Sequence, residues 1–344
     1  MNVAGLPDQQ VLQSWGRQEF GQRFRIHAIG KFSTGQSNPT FRLKTSLGEW
    51  VLRKKPAGNL LPSAHAIERE FEVMSALRDS VVPVPEMIAL CRDESIIGTP
   101  FFLMSYVRGR TLTDPRLPGW TSADRKAMCF NQLNLAADLA SIQPEKIGLD
   151  EFGRSGNYVE RQIRRWSQQY KASETQTIPE MDQLIHWLSM NPPPEEAGTA
   201  LVHGDFRLDN LIIHPDRPEI IAIIDWELST LGHPLVDLTY WLTMLSFPDD
   251  GHFPGISASQ RESEGIPQNE ELFARFVKST RTNIDVNMDY WIAFHCFRFA
   301  AIVQGVHKRS LDGNASAADA EQVGRMAMPV ADLGWHHAER AMKQ

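Results

Sequence analysis

Three absences narrow what this chain can be. Its 344 residues contain only three cysteines, Cys91, Cys129 and Cys296. They are far apart, with no spacing that builds a zinc site or a disulfide framework, so a reducing compartment is expected. No segment approaches the roughly 20 consecutive apolar residues of a membrane helix. The opening MNVAGLPDQQ lacks the basic start and apolar run of a secretory signal. The expectation is a cytoplasmic protein with no membrane partner. An excess of positive charge is also missing: 35 Lys and Arg face 42 Asp and Glu, a formal net charge of -7. A nucleic-acid partner leaves a basic footprint, so none is expected, and an anionic ligand has to be held by local groups.

What remains is a folded globular composition, 42% hydrophobic and 22% charged, in a chain long enough for a bilobal unit or two domains. The segments RFRIHAIGKF, TFRLKTSLG and EWVLRKKP alternate in short runs between turn residues, which predicts an antiparallel meander. SAHAIEREFEVMSALRDS follows with Ile67, Phe71, Met74 and Leu77 at helical spacing and Ser63 as a cap. VPVPEMIAL and TPFFLMSYVRG predict two more strands, the second apolar enough to be central. From Thr121 onward the patterns are mainly helical, interrupted by the β-like pieces ALVHG and IIAIID. Residues 247–268, rich in Gly, Pro and Ser, predict a long loop or lid. The expected class is α+β: a small lobe, 1–104, with an antiparallel sheet and one helix, a hinge at 105–110, and a larger, mainly helical lobe, 111–344.

The polar run LVHGDFRLDN carries the chemistry. Asp205 and Asn210 fit Asp-x4-Asn, the spacing of a kinase catalytic loop, with His203 two residues ahead. Phosphoryl transfer needs a carboxylate that accepts or orients a hydroxyl proton, and an amide oxygen nearby for Mg²⁺. Fifteen residues later an apolar strand runs into Asp225, a position suited to a second metal ligand. Upstream, Val51, Arg53 and Lys55 share a strand face, so Arg53 or Lys55 is placed to reach phosphate oxygens. Glu70 lies inside the apolar stripe of the next helix and needs a partner there, which the strand cation supplies. Gly30, Gly35, Ser37 and Asn38 sit in the first hairpin turn, where backbone N–H groups can lie over phosphates, although GxGxxG is absent. The backbone of Ser105 and Val107, between the lobes, is placed for an adenine edge.

In this order the signals resemble one group. The chain is similar over essentially its whole length to the kinase-like aminoglycoside phosphotransferase and choline kinase group. The run HGDFRLDNLIIHPDRPEIIAIIDWELSTLGHPLVDLTYW resembles one branch, the kinase-like domains fused to, or encoded beside, certain acyl-CoA dehydrogenases. The resemblance implies a protein-kinase-like bilobal fold, ATP and Mg²⁺, Asp205 as catalytic base and Asn210 and Asp225 as metal ligands. It also implies Arg53 with Glu70 at the phosphates, Ser105 and Val107 at the adenine, and Asp237 as a brace for the catalytic loop. Arg53 stands where well-studied members carry lysine; arginine still grips phosphate bidentately.

The acceptor is less legible. Arg298, His307, Lys308 and Arg309 on a late helix, together with Arg207, suit a carboxylate or CoA-linked acceptor; Arg207, Glu227 and Arg298 are the acceptor-side candidates. Lys308 and Arg309 also read as an ordinary positive helix end. Resemblance to the dehydrogenase-associated branch implies a hydroxy acid or hydroxyacyl-CoA and a functional link to an acyl-CoA dehydrogenase. The alternatives are an aminoglycoside- or choline-type kinase and a non-catalytic nucleotide-binding module. Flavin chemistry is not expected, because no dinucleotide fingerprint is present.

Overall fold

Period-two alternation in neighbouring segments builds a sheet, and longer 3.6-residue patterns build the helices around it. A computed structural model describes residues 6–32, 38–56, 67–154, 156–193, 198–248, 255–280, 287–313 and 320–343. In chain order the elements begin with α1 (Gln9–Phe20), β1 (Ile26–Lys31), β2 (Thr40–Thr45), β3 (Gly48–Lys54), α2 (Ile67–Ala76), β4 (Met87–Cys91), α3 (Glu94–Ile97) and β5 (Phe101–Ser105). They continue with α4 (Ser122–Ala140), α5 (Tyr158–Ser173), α6 (Pro179–Met190), β6 (Ala200–Val202), β7 (Leu211–Ile213), β8 (Ile220–Ile223) and β9 (Thr230–Gly232). The last are α7 (Val236–Ser246), α8 (Ala258–Glu264), α9 (Asn269–Thr280), α10 (Met288–Leu311), α11 (Ala320–Gly324) and α12 (Ala327–Ala341).

The first unit runs to Arg110 and takes in Leu211–Asp216 and Ile220–Ser229. Its sheet has the order β1-β2-β3-β5-β4, antiparallel throughout. Trp50 and Leu52 of β3 join Leu12, Phe24, Phe41, Phe101 and Leu103 in one core. The alternate residues Val51 and Arg53 therefore face the other way. On that side Phe102 packs on Phe71 of α2, ring centroids 6.1 Å apart. Helices on both faces leave β3 and β5 buried along most of their length. The expected single helix is corrected here: α1 and α3 are added. Asp8 caps α1, accepting from the N–H groups of Gln10 and Val11, and Trp15 meets Phe101 edge-on at 4.9 Å. The stripe of α1 was hard to read because only Leu12 and Gly16 are fully buried.

The β7–β8 hairpin joins this first unit, although the sequence reading assigned it to 111–344. Arg110 and Ile213 exchange backbone hydrogen bonds of 2.9 Å. Gly109 permits that approach, since a Cβ there would lie 2.6 Å from the Ile213 carbonyl oxygen. The Ile223 N–H donates to the Pro83 carbonyl at 2.8 Å. The residues just beyond β8 are thereby carried beside α2.

In the second unit α10 is buried on nearly every side from Asp289 to Gly305 and packs against α5, α6, α7, α11 and α12. Its sequence is accordingly apolar all round rather than striped. Two β-like pieces were expected around the polar run; the chain instead makes four three- or four-residue strands, β6 pairing β9 and β7 pairing β8. The long loop at 247–268 is corrected in part. Residues 255–268 contain α8, started by a capping box in which Ser257 and Gln260 bond reciprocally; residues 249–254 lie outside the described residues. No helix among the described residues is long and apolar enough to cross a membrane.

Candidate active site

The first unit gathers three carboxylates around one guanidinium. β3 delivers Arg53, and α2 delivers Glu70, fully buried. Arg53 Nε donates to Glu70 Oε1 at 3.0 Å, its Nη2 bonds the carboxylate of Asp225, and Glu227 Oε2 lies 4.0 Å from Nη2. Asn38 Nδ2 donates to Glu70 at 3.0 Å and to Glu227 at 3.3 Å. One cation does not neutralise three carboxylates. Burial pushes Glu70 up to about 7, opposed by Arg53 and reinforced by Asp225 and Glu227. Ligand oxygens of Glu70, Asp225 and Glu227 lie within 4.8 Å of one another. Such a cluster of hard oxygen donors with surplus negative charge fits a divalent cation. Asp225 holds φ 66° and ψ 57°, a left-handed conformation that aspartate tolerates better than most residues.

Of the sequence candidates here, Arg53 rather than Lys55 pairs with Glu70. Glu227, expected on the acceptor side, lies in this cluster instead. Gly35 and Ser37, like the Ser63 cap, lie outside the described residues. At the end of β5 the Ser105 N–H donates to the Glu86 carbonyl at 2.8 Å, so its amide is engaged within the first unit.

The second unit holds the polar loop. β6 ends at Val202, and Gly204 turns with φ 85°, which glycine adopts without penalty. Asp237, in the first turn of α7, accepts the N–H of His203 at 2.7 Å and of Gly204 at 2.9 Å; it is the brace that the resemblance implies. The buried His203 ring accepts the Asp205 N–H on Nδ1 at 3.2 Å, a supporting part. Asp205 Oδ1 accepts the Tyr240 hydroxyl at 2.8 Å, and Oδ2 accepts Asn210 Nδ2 at 2.9 Å. The same nitrogen reaches the Asp205 carbonyl at 2.9 Å. Arg207 Nε lies 3.4 Å from Asp205 Oδ2, and its Nη2 lies 2.6 Å from Asp209. Arg298 reaches back to this loop through the Gly204 carbonyl at 3.1 Å. Of the remaining late cations, Lys308 is engaged with Asp312 at 2.8 Å. Tyr240 was missed. In DLTYWLTML it reads as one more core aromatic, and only the fold aims its hydroxyl at Asp205.

The model of the phosphotransferase enzyme family matches residues 29–268. Mouse acyl-CoA dehydrogenase family member 10 is 45% identical over 313 residues, 90% of this chain and 29% of that protein. Mouse acyl-CoA dehydrogenase family member 11 is 40% identical over 335 residues, 94% of this chain and 42% of that protein. The chain thus spans less than half the length of these relatives. A Ralstonia eutropha crystal structure described as an aminoglycoside phosphotransferase superposes with a TM-score of 0.88 at 42% identity, covering 97% of this chain and 99% of that one. The aminoglycoside phosphotransferase APH(4)-Ia, in a ternary complex with ADP and hygromycin B, shares the fold at a TM-score of 0.63 and 14% identity, covering 95% of this chain and 98% of its own. With its loop braced by Asp237, its kinase-like fold and a family match across residues 29–268, this chain belongs to the phosphotransferase enzyme family.

Proposed function

We propose that the protein transfers the γ-phosphoryl group of ATP to a hydroxyl of a small molecule with the help of Mg²⁺, the preferred acceptor being a hydroxy acid or a hydroxyacyl-CoA. The observation that carries this reading is the state of Asp205, whose two carboxylate oxygens are held by Tyr240 at 2.8 Å and Asn210 at 2.9 Å. A fixed carboxylate beside an amide is what phosphoryl transfer asks of a protein, because its catalysis is mostly positioning and charge stabilisation.

The roles follow from the chemistry of each group. Asp205 orients the acceptor hydroxyl and receives its proton. Asn210 commits its nitrogen to Asp205, which leaves its carbonyl oxygen as a metal ligand, and Asp225 is the second; bound Mg²⁺ would neutralise phosphate charge. Arg53, aligned by Glu70, grips phosphate oxygens, and Asn38 holds Glu70 and Glu227 in place beside it. The Ser105 carbonyl and Val107 N–H read the adenine edge. Arg207, adjacent to Asp205, meets an anionic group on the acceptor. Support for that acceptor class comes from the 45 and 40% identity to acyl-CoA dehydrogenase family members 10 and 11, which also motivates a functional link to such a dehydrogenase in the cytoplasm.

The test is ATP consumption against hydroxy acids and their CoA esters, run beside aminoglycosides, choline and homoserine, with Mg²⁺-ATP binding followed by melting temperature. Turnover with hydroxy acids or their thioesters is expected. Transfer only to amino alcohols would replace the acceptor class. Nucleotide binding without any transfer would favour a regulatory module, and no thermal shift with any Mg²⁺-nucleotide would remove the kinase reading.

A further inference from the structure

Arg298 is an expensive residue to place where it is. It stands in the middle of α10, the most enclosed helix of the second unit, with 7% of its surface exposed. A buried guanidinium is retained only when its charge and its donors are answered. Its Nη2 donates to the Gly204 carbonyl at 3.1 Å, across 94 residues of sequence. Its guanidinium carbon lies 5.9 Å from the Trp166 ring centroid and 5.8 Å from that of Tyr240, within reach of cation–π attraction. Nε and Nη1 have no hydrogen-bond partner among the described residues.

The two preceding peptide units are held by Asp237, which takes the N–H groups of His203 and Gly204. Gly204 is thus held on both sides, its N–H by the buried Asp237 carboxylate and its C=O, in the next peptide unit, by the buried Arg298 guanidinium. Burial raises the Asp237 carboxyl above its ordinary range, and the nearby His203, the two N–H groups it accepts and the Arg298 charge oppose that rise. Asp205 is the next residue along. Tyr240, over whose ring the guanidinium lies, fixes Asp205 Oδ1 directly.

We propose that Arg298 is a positioning residue of the phosphotransfer centre, holding the Gly204 carbonyl while Asp237 holds the N–H groups before it, and seating Tyr240, whose hydroxyl fixes the orientation of the Asp205 carboxylate. Arg298, one of the two arginines expected on the acceptor side, is thereby assigned to holding the catalytic loop. The assignment rests on the reading of Asp205 as the base, and it explains why a charge sits on the core-facing side of a helix otherwise lined by Phe294, Phe297 and Ala301.

Backbone hydrogen–deuterium exchange over residues 203–210, in wild type, Arg298→Lys, Arg298→Met and Tyr240→Phe, decides it. Arg298→Met is expected to speed exchange there about tenfold or more, with α5 and α12 unchanged, while Arg298→Lys retains most of the protection. On the acceptor turned over by wild type, or on water through slow ATP hydrolysis, Arg298→Met and Tyr240→Phe are expected to lower kcat about ten- to a hundredfold with KM for Mg²⁺-ATP unchanged. Faster exchange confined to α10 and its packing neighbours, or equal kcat in Tyr240→Phe and wild type, would overturn the proposal. Tyr240→Phe is near-isosteric, so it keeps the test decisive if Arg298→Met fails to fold. Should wild type move phosphate to no acceptor and hydrolyse no ATP, the phosphotransfer reading falls while the exchange experiment still judges the clamp.

Discussion

Arg53 donates to Glu70 at 3.0 Å in a setting where only 9% of one side chain and none of the other is exposed. Because Asp225 and Glu227 converge on the same guanidinium, the two partners are not equivalent. Arg53→Met strips a shared positive charge from three carboxylates and is expected to cost about 3–5 kcal/mol. Glu70→Gln still accepts from Arg53 and removes one unit of repulsion, so its cost is expected to be well under half of that. Urea unfolding at neutral pH measures both. Equal losses would show that the surplus carboxylates carry no electrostatic strain.

Asp225 separates backbone from chemistry. At φ 66° asparagine is tolerated while a β-branched residue is not, at a penalty of roughly 1–2 kcal/mol. Asp225→Asn is therefore expected to melt close to wild type yet lose the extra thermal shift that Mg²⁺ adds to ATP. Asp225→Val is expected to lose both. Thermal melts with ATP, with and without Mg²⁺, read this; a full Mg²⁺ effect in Asp225→Asn would deny the residue a metal role.

Gly109 is a test of close packing. A Cβ at this position would meet Ile212 Cγ2 at 2.4 Å and the Ile213 carbonyl oxygen at 2.6 Å. Gly109→Ala is expected to destabilise by about 1–3 kcal/mol. Adding Ile212→Ala clears the side-chain clash but not the carbonyl, so only part of the loss returns. Full recovery in the double variant would mean that the backbone contact relaxes freely.

His233 predicts a feature of the acid limb. Its ring lies 4.5 Å from that of Trp291 and accepts the Leu235 N–H on Nδ1, and burial holds its titration down to about 4. The unfolded chain takes up this proton first, near pH 6.5. The contribution to stability is thus complete above about 6.5 and is lost as pH falls toward 4, amounting to about 3 kcal/mol at most. His233→Asn is expected to be less stable at pH 7.5 but to show a shallower decline between pH 6.5 and 4. Parallel curves for the two proteins would mean that His233 titrates normally.

Legibility followed the length of the pattern. α9 (Asn269–Thr280) is legible in the sequence, because its apolar residues keep helical spacing and acidic residues fill its first turn. The Glu70 stripe was legible because a carboxylate among Ile67, Val73 and Met74 has to be paired. The three-residue strands β7 and β9 were not legible, since they hold too little alternation to stand apart from loop. α8 escaped notice because its stripe is polar, although the Ser257-x-x-Gln260 capping signal was present. α12 has its own apolar face, but its residues had no role to suggest until α10 was seen against them.

By itself the sequence determined the chemistry and its order: a strand cation, a helix carboxylate, an aspartate and asparagine five residues apart, and an aspartate after an apolar strand. A five-residue loop keeps Asp205 and Asn210 within reach of one another however the rest folds. Only the tertiary structure decided which groups meet across long separations. It set Arg53 between Glu70 and Asp225, placed Glu227 in the same cluster, and closed Arg298 onto Gly204 and Tyr240 onto Asp205. The reason is burial. Inside the protein each charge and hydroxyl must find a partner, and topology, not neighbourhood in the chain, fixes which one it finds.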